Sequence, residues 1–168
     1  MTIRPVLKLD EQALQERPPE YRPTGAAAER FHLRRAMLGK TLGLKRLGCS
    51  LTEVDPGKTG YPFHSHRVND EMFYILAGRG ELRLGDQRHP VAAGDIIGCP
   101  AGGPGTAHQL INTGNEPLRY LAISSELDPE ICEYPDSGKV GVWAEEPGGP
   151  GFYQMSRSGE PLDYWEGE

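Results

Sequence analysis

The sequence predicts an all-β fold, a barrel of about eight short strands with an N-terminal arm and an aromatic C-terminal tail. Three observations lead there. From Leu42 to Ser125 the apolar residues recur with a period of two, as on a half-buried strand. Glycine and Asn/Asp turn signals interrupt that pattern at short intervals. The 168 residues include 22 Gly and 15 Pro against 37% hydrophobic residues, a balance suited to many short strands joined by tight turns.

Taken in order, residues 1–39 form the arm. They are charged and carry PPEYRP, and Ala26 to Leu38 is the one stretch that could make a short helix. Residues 40–125 form the barrel. In LKRLGCSLTEV, Leu47, Cys49 and Leu51 share one face. In EMFYILAG, Glu71, Phe73 and Ile75 face one way and Met72, Tyr74 and Leu76 the other, so this strand is expected to be buried on both sides. Gly78-Arg79-Gly80 turns the chain into ELRLGDQRHPV, whose Gly85-Asp86 reads as a hairpin tip. No helix follows that G-x-G, so it is not a nucleotide loop. DIIGC, AHQLIN and LRYLAIS complete the strands, with Gly114-Asn115 as a further turn and Asn112 on the face of His108 and Leu110. Residues 126–168 form the tail. It is too aromatic for a disordered segment, and Trp143, Phe152, Tyr153 and Trp165 are expected to anchor it over the barrel or a partner, with a lid over a pocket as the alternative.

The length suits one domain with a sizeable core. Twenty-four acids against 18 bases give a net charge of −6, which argues against a nucleic-acid groove or an anionic membrane surface. The N-terminus has no apolar signal region and no run reaches membrane-spanning length. Cys49, Cys99 and Cys132 form no CxxC and leave an odd thiol. A reduced, cytoplasmic setting is the expectation.

Four residues carry the chemistry: His64, His66, Glu71 and His108. They include three of only five histidines. His64 and His66 are two apart, so an extended segment presents both imidazoles on one face. Three imidazoles and a carboxylate suit one borderline divalent ion, Zn, Fe, Mn, Ni or Co. On an octahedral ion they would leave roughly two positions for water or a bidentate oxygen ligand. His-x-His alone would equally fit an exposed strand face.

The surrounding glycines add a second pattern. GKTGYPFHSHRVNDEMFYILAG, residues 57–78, resembles the first conserved motif of the cupin superfamily, with Gly57, His64, His66, Glu71 and Gly78 in its positions. GDIIGCPAGGPGTAHQLIN, residues 94–112, resembles the second, with Gly94, Pro100, Gly102, His108 and Asn112. Gly57 stands one position further from His64 than usual. Between Gly102 and His108 the five residues GPGTA replace the usual two, a longer turn expected to shape the pocket mouth. The resemblance covers about half the chain. It implies a double-stranded β-helix of the cupin or jelly-roll type, a single such domain, and metal ligation by His64, His66, Glu71 and His108. The family includes isomerases, decarboxylases, dioxygenases and plain binding proteins, so the fold alone does not choose a reaction.

The leading functional expectation is a small metalloenzyme acting on a polar small molecule, a sugar phosphate or an oxygenated acid. Two alternatives stay open: a non-catalytic binding or sensing module, and a structural dimer braced by the metal. No general base is identifiable beyond the ligands. Lys58 and Arg67 are the candidate phosphate-binding cations. Cys99 reads as a buried inert thiol, Glu53, Asp55 and Tyr61 as rim residues, His89 as surface, and His32 as an arm residue without a visible partner. The apolar face of Met72, Tyr74 and Leu76 suggests a homodimer.

Overall fold

The computed structural model describes residues 5–157, 159 and 162–168. Among these, the strands are β1 Gln15–Glu16, β2 Leu33–Met37, β3 Leu47–Val54, β4 Ser65–His66, β5 Glu71–Ala77, β6 Arg79–Leu84, β7 Gln87–Ala92, β8 Ile96–Cys99, β9 His108–Ile111, β10 Leu118–Ser125, β11 Glu130–Tyr134, β12 Lys139–Ala144 and β13 Phe152–Arg157. The short helices α1 Ala26–Arg30 and α2 Leu38–Leu42 lie on either side of β2. The fold is the all-β jelly roll that the alternation predicts. Its pairings are antiparallel, in three sheets ordered β1-β2-β3-β10-β5-β8, β13-β12-β11-β4 and β7-β6-β9.

The core lies between the six-stranded sheet and the three-stranded one. Leu33, Val54, Phe73, Ile75, Ile97, Leu118 and Tyr120 enter from the first, and Leu82, Val91 and Leu110 from the second. Each large apolar side chain fully buried in this way contributes about 1.5–3 kcal/mol. Register keeps the inward rows together: Phe73 stands opposite Ala122 and Ile97, and Ile75 opposite Tyr120.

Several expectations change on contact with the structure. The stretch Ala26 to Leu38 is helical over Ala26–Arg30 and again only at Leu38, where α2 begins, and Leu33–Met37 between them is a strand paired along β3. Pairing with an eight-residue strand outweighs its weak helical tendency. β5 is not buried on both sides. Phe73 and Ile75 are buried, whereas Met72 is 40% and Tyr74 38% exposed. Beyond Ser125 the chain continues as sheet: β11 pairs with β4, and β12 and β13 follow in order. Trp143 is partly buried, whereas Phe152, Tyr153 and Trp165 are exposed in this chain.

Turn chemistry fixes the ends of the strands. Gly78 joins β5 to β6 at φ 82°, and a Cβ there would stand 2.5 Å from the Pro117 carbonyl oxygen. Only glycine meets both conditions. The Gly85-Asp86 pair is the β6–β7 hairpin tip. Asn112, fully buried, donates through Nδ2 to the carbonyls of Val54 and Glu116 and accepts from the Gly114 amide, so it ties the β9–β10 turn to the end of β3.

Candidate metal centre

His64, His66, Glu71 and His108 come from three separate parts of the fold. His66 lies in β4, which pairs with β11 so that Cys132 stands opposite it. His64 and His108 face each other across an isolated antiparallel bridge, exchanging N–H···O bonds of 3.2 and 2.8 Å. Glu71 opens β5, between Ser124 of β10 and Cys99 of β8. The inserted residues after Gly102 form a 3-10 turn, Pro104–Thr106, immediately before β9.

The imidazoles converge on one carboxylate oxygen. Glu71 Oε2 lies 2.8 Å from His108 Nε2, 3.5 Å from His66 Nε2 and 4.0 Å from His64 Nε2. Ligand atoms of His64, His66 and Glu71 all lie within 4.8 Å of one another. His108 falls outside that trio but makes the shortest contact with the carboxylate. In each ring the other nitrogen is held from behind. His64 Nδ1 donates to the Pro62 carbonyl at 2.8 Å, and His108 Nδ1 lies 3.4 Å from the Thr106 carbonyl oxygen. His66 Nδ1 lies 3.4 Å from Glu130 Oε2 and 3.1 Å from Cys132 Sγ. A proton fixed on Nδ1 leaves Nε2 as the donor atom, the arrangement that orients histidines for a metal. Adjacent donors around an ion with bonds of about 2.1 Å stand roughly 3 Å apart, so this set fits a divalent cation.

Burial and neighbouring charge tune the groups. Burial, reinforced by His108, lowers His64 to about 4, so the ring is neutral at ordinary pH. Burial also pulls His66 down, but hydrogen bonds to Cys132 and Glu71 outweigh it and carry the ring up to about 10. Burial opposes ionisation of Glu71, yet the hydrogen bonds from His108 and His66 hold its carboxyl far below the usual range. Without a metal, His66 thus carries the proton that balances Glu71.

A cavity of about 290 Å³ opens over this cluster. Besides the four residues it is bordered by Arg35, Tyr61, Gln109, Tyr120, Tyr134 and Trp143. The Tyr134 ring stacks on His64 at 6.0 Å, and burial pushes its hydroxyl up to about 12. The remaining expected residues sort plainly. Cys99 is buried and raised by burial to about 12. Glu53 pairs with Arg34, and His32 has a partner after all, lying 2.8 Å from Asp55. His89 is exposed on β7. Lys58 donates to the Glu29 carbonyl and Arg67 pairs with Glu133 at 2.7 Å; neither borders the cavity. Residues that the sequence did not single out, Arg35, Glu130, Cys132 and Tyr134, border or brace the site instead. Only strand pairing brings them there.

Comparison with known proteins agrees with this architecture. The Cupin domain family matches residues 50–124. A cupin-superfamily sugar phosphate isomerase from Silicibacter pomeroyi superposes with a TM-score of 0.76 at 25% identity, over 95% of this chain and 98% of that one. A sugar phosphate isomerase candidate from Acidithiobacillus ferrooxidans gives 0.67 at 30% identity, over 74% and 76% of the two chains. An oxalate-binding protein of Thermotoga maritima is 32% identical over 71 residues, 42% of this chain and 55% of that protein. The chain spans about half the length of the curated relatives it matches.

Proposed function

The chain belongs to the cupin superfamily, and on that premise we propose that it is a small metal-dependent enzyme acting on a polar, oxygen-rich small molecule. The substrate class is a sugar phosphate or an oxygenated acid, and the reaction an isomerisation, lyase step or dioxygenation. The observation that carries this reading is the convergence of three Nε2 atoms on Glu71 Oε2, within 4.0 Å, beside a cavity. The ligands assigned are His64, His66, Glu71 and His108, holding one divalent ion.

When bound, such an ion polarises a substrate carbonyl or lowers the pKa of a coordinated hydroxyl. The protein's own groups do the rest. His64 stays neutral and offers Nε2, because its burial disfavours the charged ring. Tyr134, stacked on His64, keeps its proton at neutral pH and so donates a hydrogen bond to a substrate oxygen rather than acting as a base. Phe73, against His108 at 5.7 Å, and the buried Tyr120 keep water from the inner wall. The three free cysteines suit a reducing compartment, as in the cytoplasm. The half-exposed apolar residues on the outside of β5 suit a homodimer.

The test is elemental analysis of tag-free protein beside a His64→Ala/His66→Ala double variant, followed by turnover assays on His66→Ala. About one equivalent of metal, lost with the histidines, supports the site. Turnover that survives in folded His66→Ala sinks the mechanism. One observation favours a second reading, a binding or sensing module. Among the described residues bordering the cavity, every imidazole is turned to Glu71, and the only other carboxylate, Glu126, is exposed. A tight ligand that is never converted would decide for that reading.

A further inference from the structure

We infer that Arg35 is the anchor for a second, anionic end of the substrate, and that the anion is a carboxylate. This rests on the metal-site reading above and narrows its substrate class. Arg35 lies in β2 and stands opposite Thr52 of β3, whose partner in turn is the buried Tyr120. That row faces the barrel interior, and Arg35 borders the same cavity as His64, His66, Glu71 and His108. A guanidinium in such a place needs a partner. Its neighbour Arg34 has two, Glu53 and Asp55. Arg35, among the described residues, has no carboxylate; its Nη1 donates to the Tyr61 hydroxyl at 2.8 Å.

Tyr61 fixes where that charge sits. Its ring lies 6.2 Å from the His64 ring, and the Arg17 guanidinium covers it at 4.7 Å. Arg35 is therefore one tyrosine away from the metal ligands. Without a ligand, no buried carboxylate of the cavity is left to face Arg35 among the described residues. Glu71 is taken up by the histidines, and Glu126 is exposed. A divalent ion on this site would leave one net positive charge there and a second on Arg35. A molecule with a chelating oxygen pair at one end and an anion at the other satisfies both.

The donors favour a carboxylate over a phosphate. The planar guanidinium matches either anion in a two-pronged contact, so the number of cations decides. A phosphate dianion calls for more cations, and Arg35 is the only Lys or Arg bordering this cavity among the described residues. Lys40 and Lys45 border the neighbouring cavity, on the other side of His66 and Glu71, where four further carboxylates, Glu126, Asp128, Glu130 and Glu145, share the lining.

Three probes sharing a 2-hydroxy-acid head test this: malate, with a distal carboxylate; 3-phosphoglycerate, with a distal phosphate; and 2-hydroxybutyrate, with neither. Titration calorimetry on Mn(II)-loaded protein, its metal content measured by electron paramagnetic resonance, compares them. Malate is expected to bind about tenfold or more tighter than 2-hydroxybutyrate, and tighter than 3-phosphoglycerate. Arg35→Gln removes that preference and leaves Mn(II) uptake and 2-hydroxybutyrate binding unchanged, which also shows the variant to be folded. Arg35→Lys restores it only in part, and Tyr61→Phe weakens it. Equal binding of malate and 2-hydroxybutyrate, or a preference that survives Arg35→Gln, overturns the assignment of Arg35. Tighter binding of 3-phosphoglycerate overturns the carboxylate. Failure to take up Mn(II) and, in its place, Fe(II), Co(II), Ni(II) and Zn(II) overturns the metal reading instead; the same comparison on metal-free protein then judges Arg35 alone, with the malate preference expected to persist in weaker form.

Discussion

The Glu130 carboxylate lies 3.4 Å from His66 Nδ1, behind the ring and on the side away from Glu71. Glu130 is 1% exposed and is itself held by the amides of Val68, Asn69 and Ile131 and by the Asn69 side chain. Its position is over-determined, so it fixes the orientation of His66 through one contact. Glu130→Gln keeps the shape and removes the charge. It is expected to weaken metal affinity by roughly 10- to 100-fold, the usual effect of losing a partner behind a metal-binding histidine. Competition against a chelator measures this. Unchanged affinity in folded variant would mean that Glu130 serves only the loop.

The metal-free protein should be most stable near pH 6.5, the ordinary imidazole value, because two histidines act in opposite senses. Burial depresses His64 to about 4, so its contribution is present above 6.5 and is lost as the pH falls through about 4. His66 is carried up to about 10, so its contribution is complete below 6.5 and is lost as the pH rises through about 10. The depressed Glu71 adds to the loss on the acid side. Urea unfolding across this range reads both limbs. His64→Gln should flatten the acid limb and His66→Gln the alkaline one. Metal should bind more tightly as the pH rises, since it displaces the His66 proton. A metal-free stability that climbs steadily toward pH 10 would contradict the role given to His66.

Two turn residues carry stability rather than chemistry. Gly78→Ala forces a side chain into φ 82° and against the Pro117 carbonyl, and should cost about 2 kcal/mol or more. Asn112→Ala strands the Val54 and Glu116 carbonyls and the Gly114 amide in a dry site, with an expected loss of about 2–4 kcal/mol. Both are read as shifts of the urea midpoint at unchanged slope. A shift under a few tenths of a kcal/mol in either would show that the turn relaxes freely.

These predictions also mark how far the sequence reaches. The His-x-His pair was legible because a strand has a period of two, and the glycines because a turn demands a positive φ or a close approach. Both are local facts. Glu130, Cys132 and Arg35 were not legible. Cys132 meets His66 only because β11 pairs with β4, and Arg35 enters the cavity only through the register of β2 on β3. In the sequence Arg34-Arg35 is an ordinary pair of cations, and only the strand's alternation sends one to Glu53 and the other inward. Lys58 and Arg67 were the plausible anion binders by proximity to the His motif, yet each is engaged outside the cavity. The apolar run of β5 told correctly that both faces are apolar, but not that one of them lacks cover.

That uncovered face supports the last prediction. Met72, Tyr74 and Ile96 are 40%, 38% and 70% exposed, and Tyr74 and Ile96 stand opposite each other in the β5–β8 pairing. Leu121 and Ile123 of β10 continue the same face, opposite Tyr74 and Met72. A contiguous apolar sheet face of this kind marks an interaction surface more often than a free one. A homodimer that stacked two such faces would bury about 800 Å² on each partner if it were of ordinary size. Light scattering is therefore expected to give twice the 18.5 kDa chain mass, and Tyr74→Glu or Ile96→Glu to give a folded monomer. Because these side chains point away from the cavity, metal uptake should survive the substitutions. A wild-type protein that is monomeric at all concentrations would remove the dimer and leave this face exposed in solution.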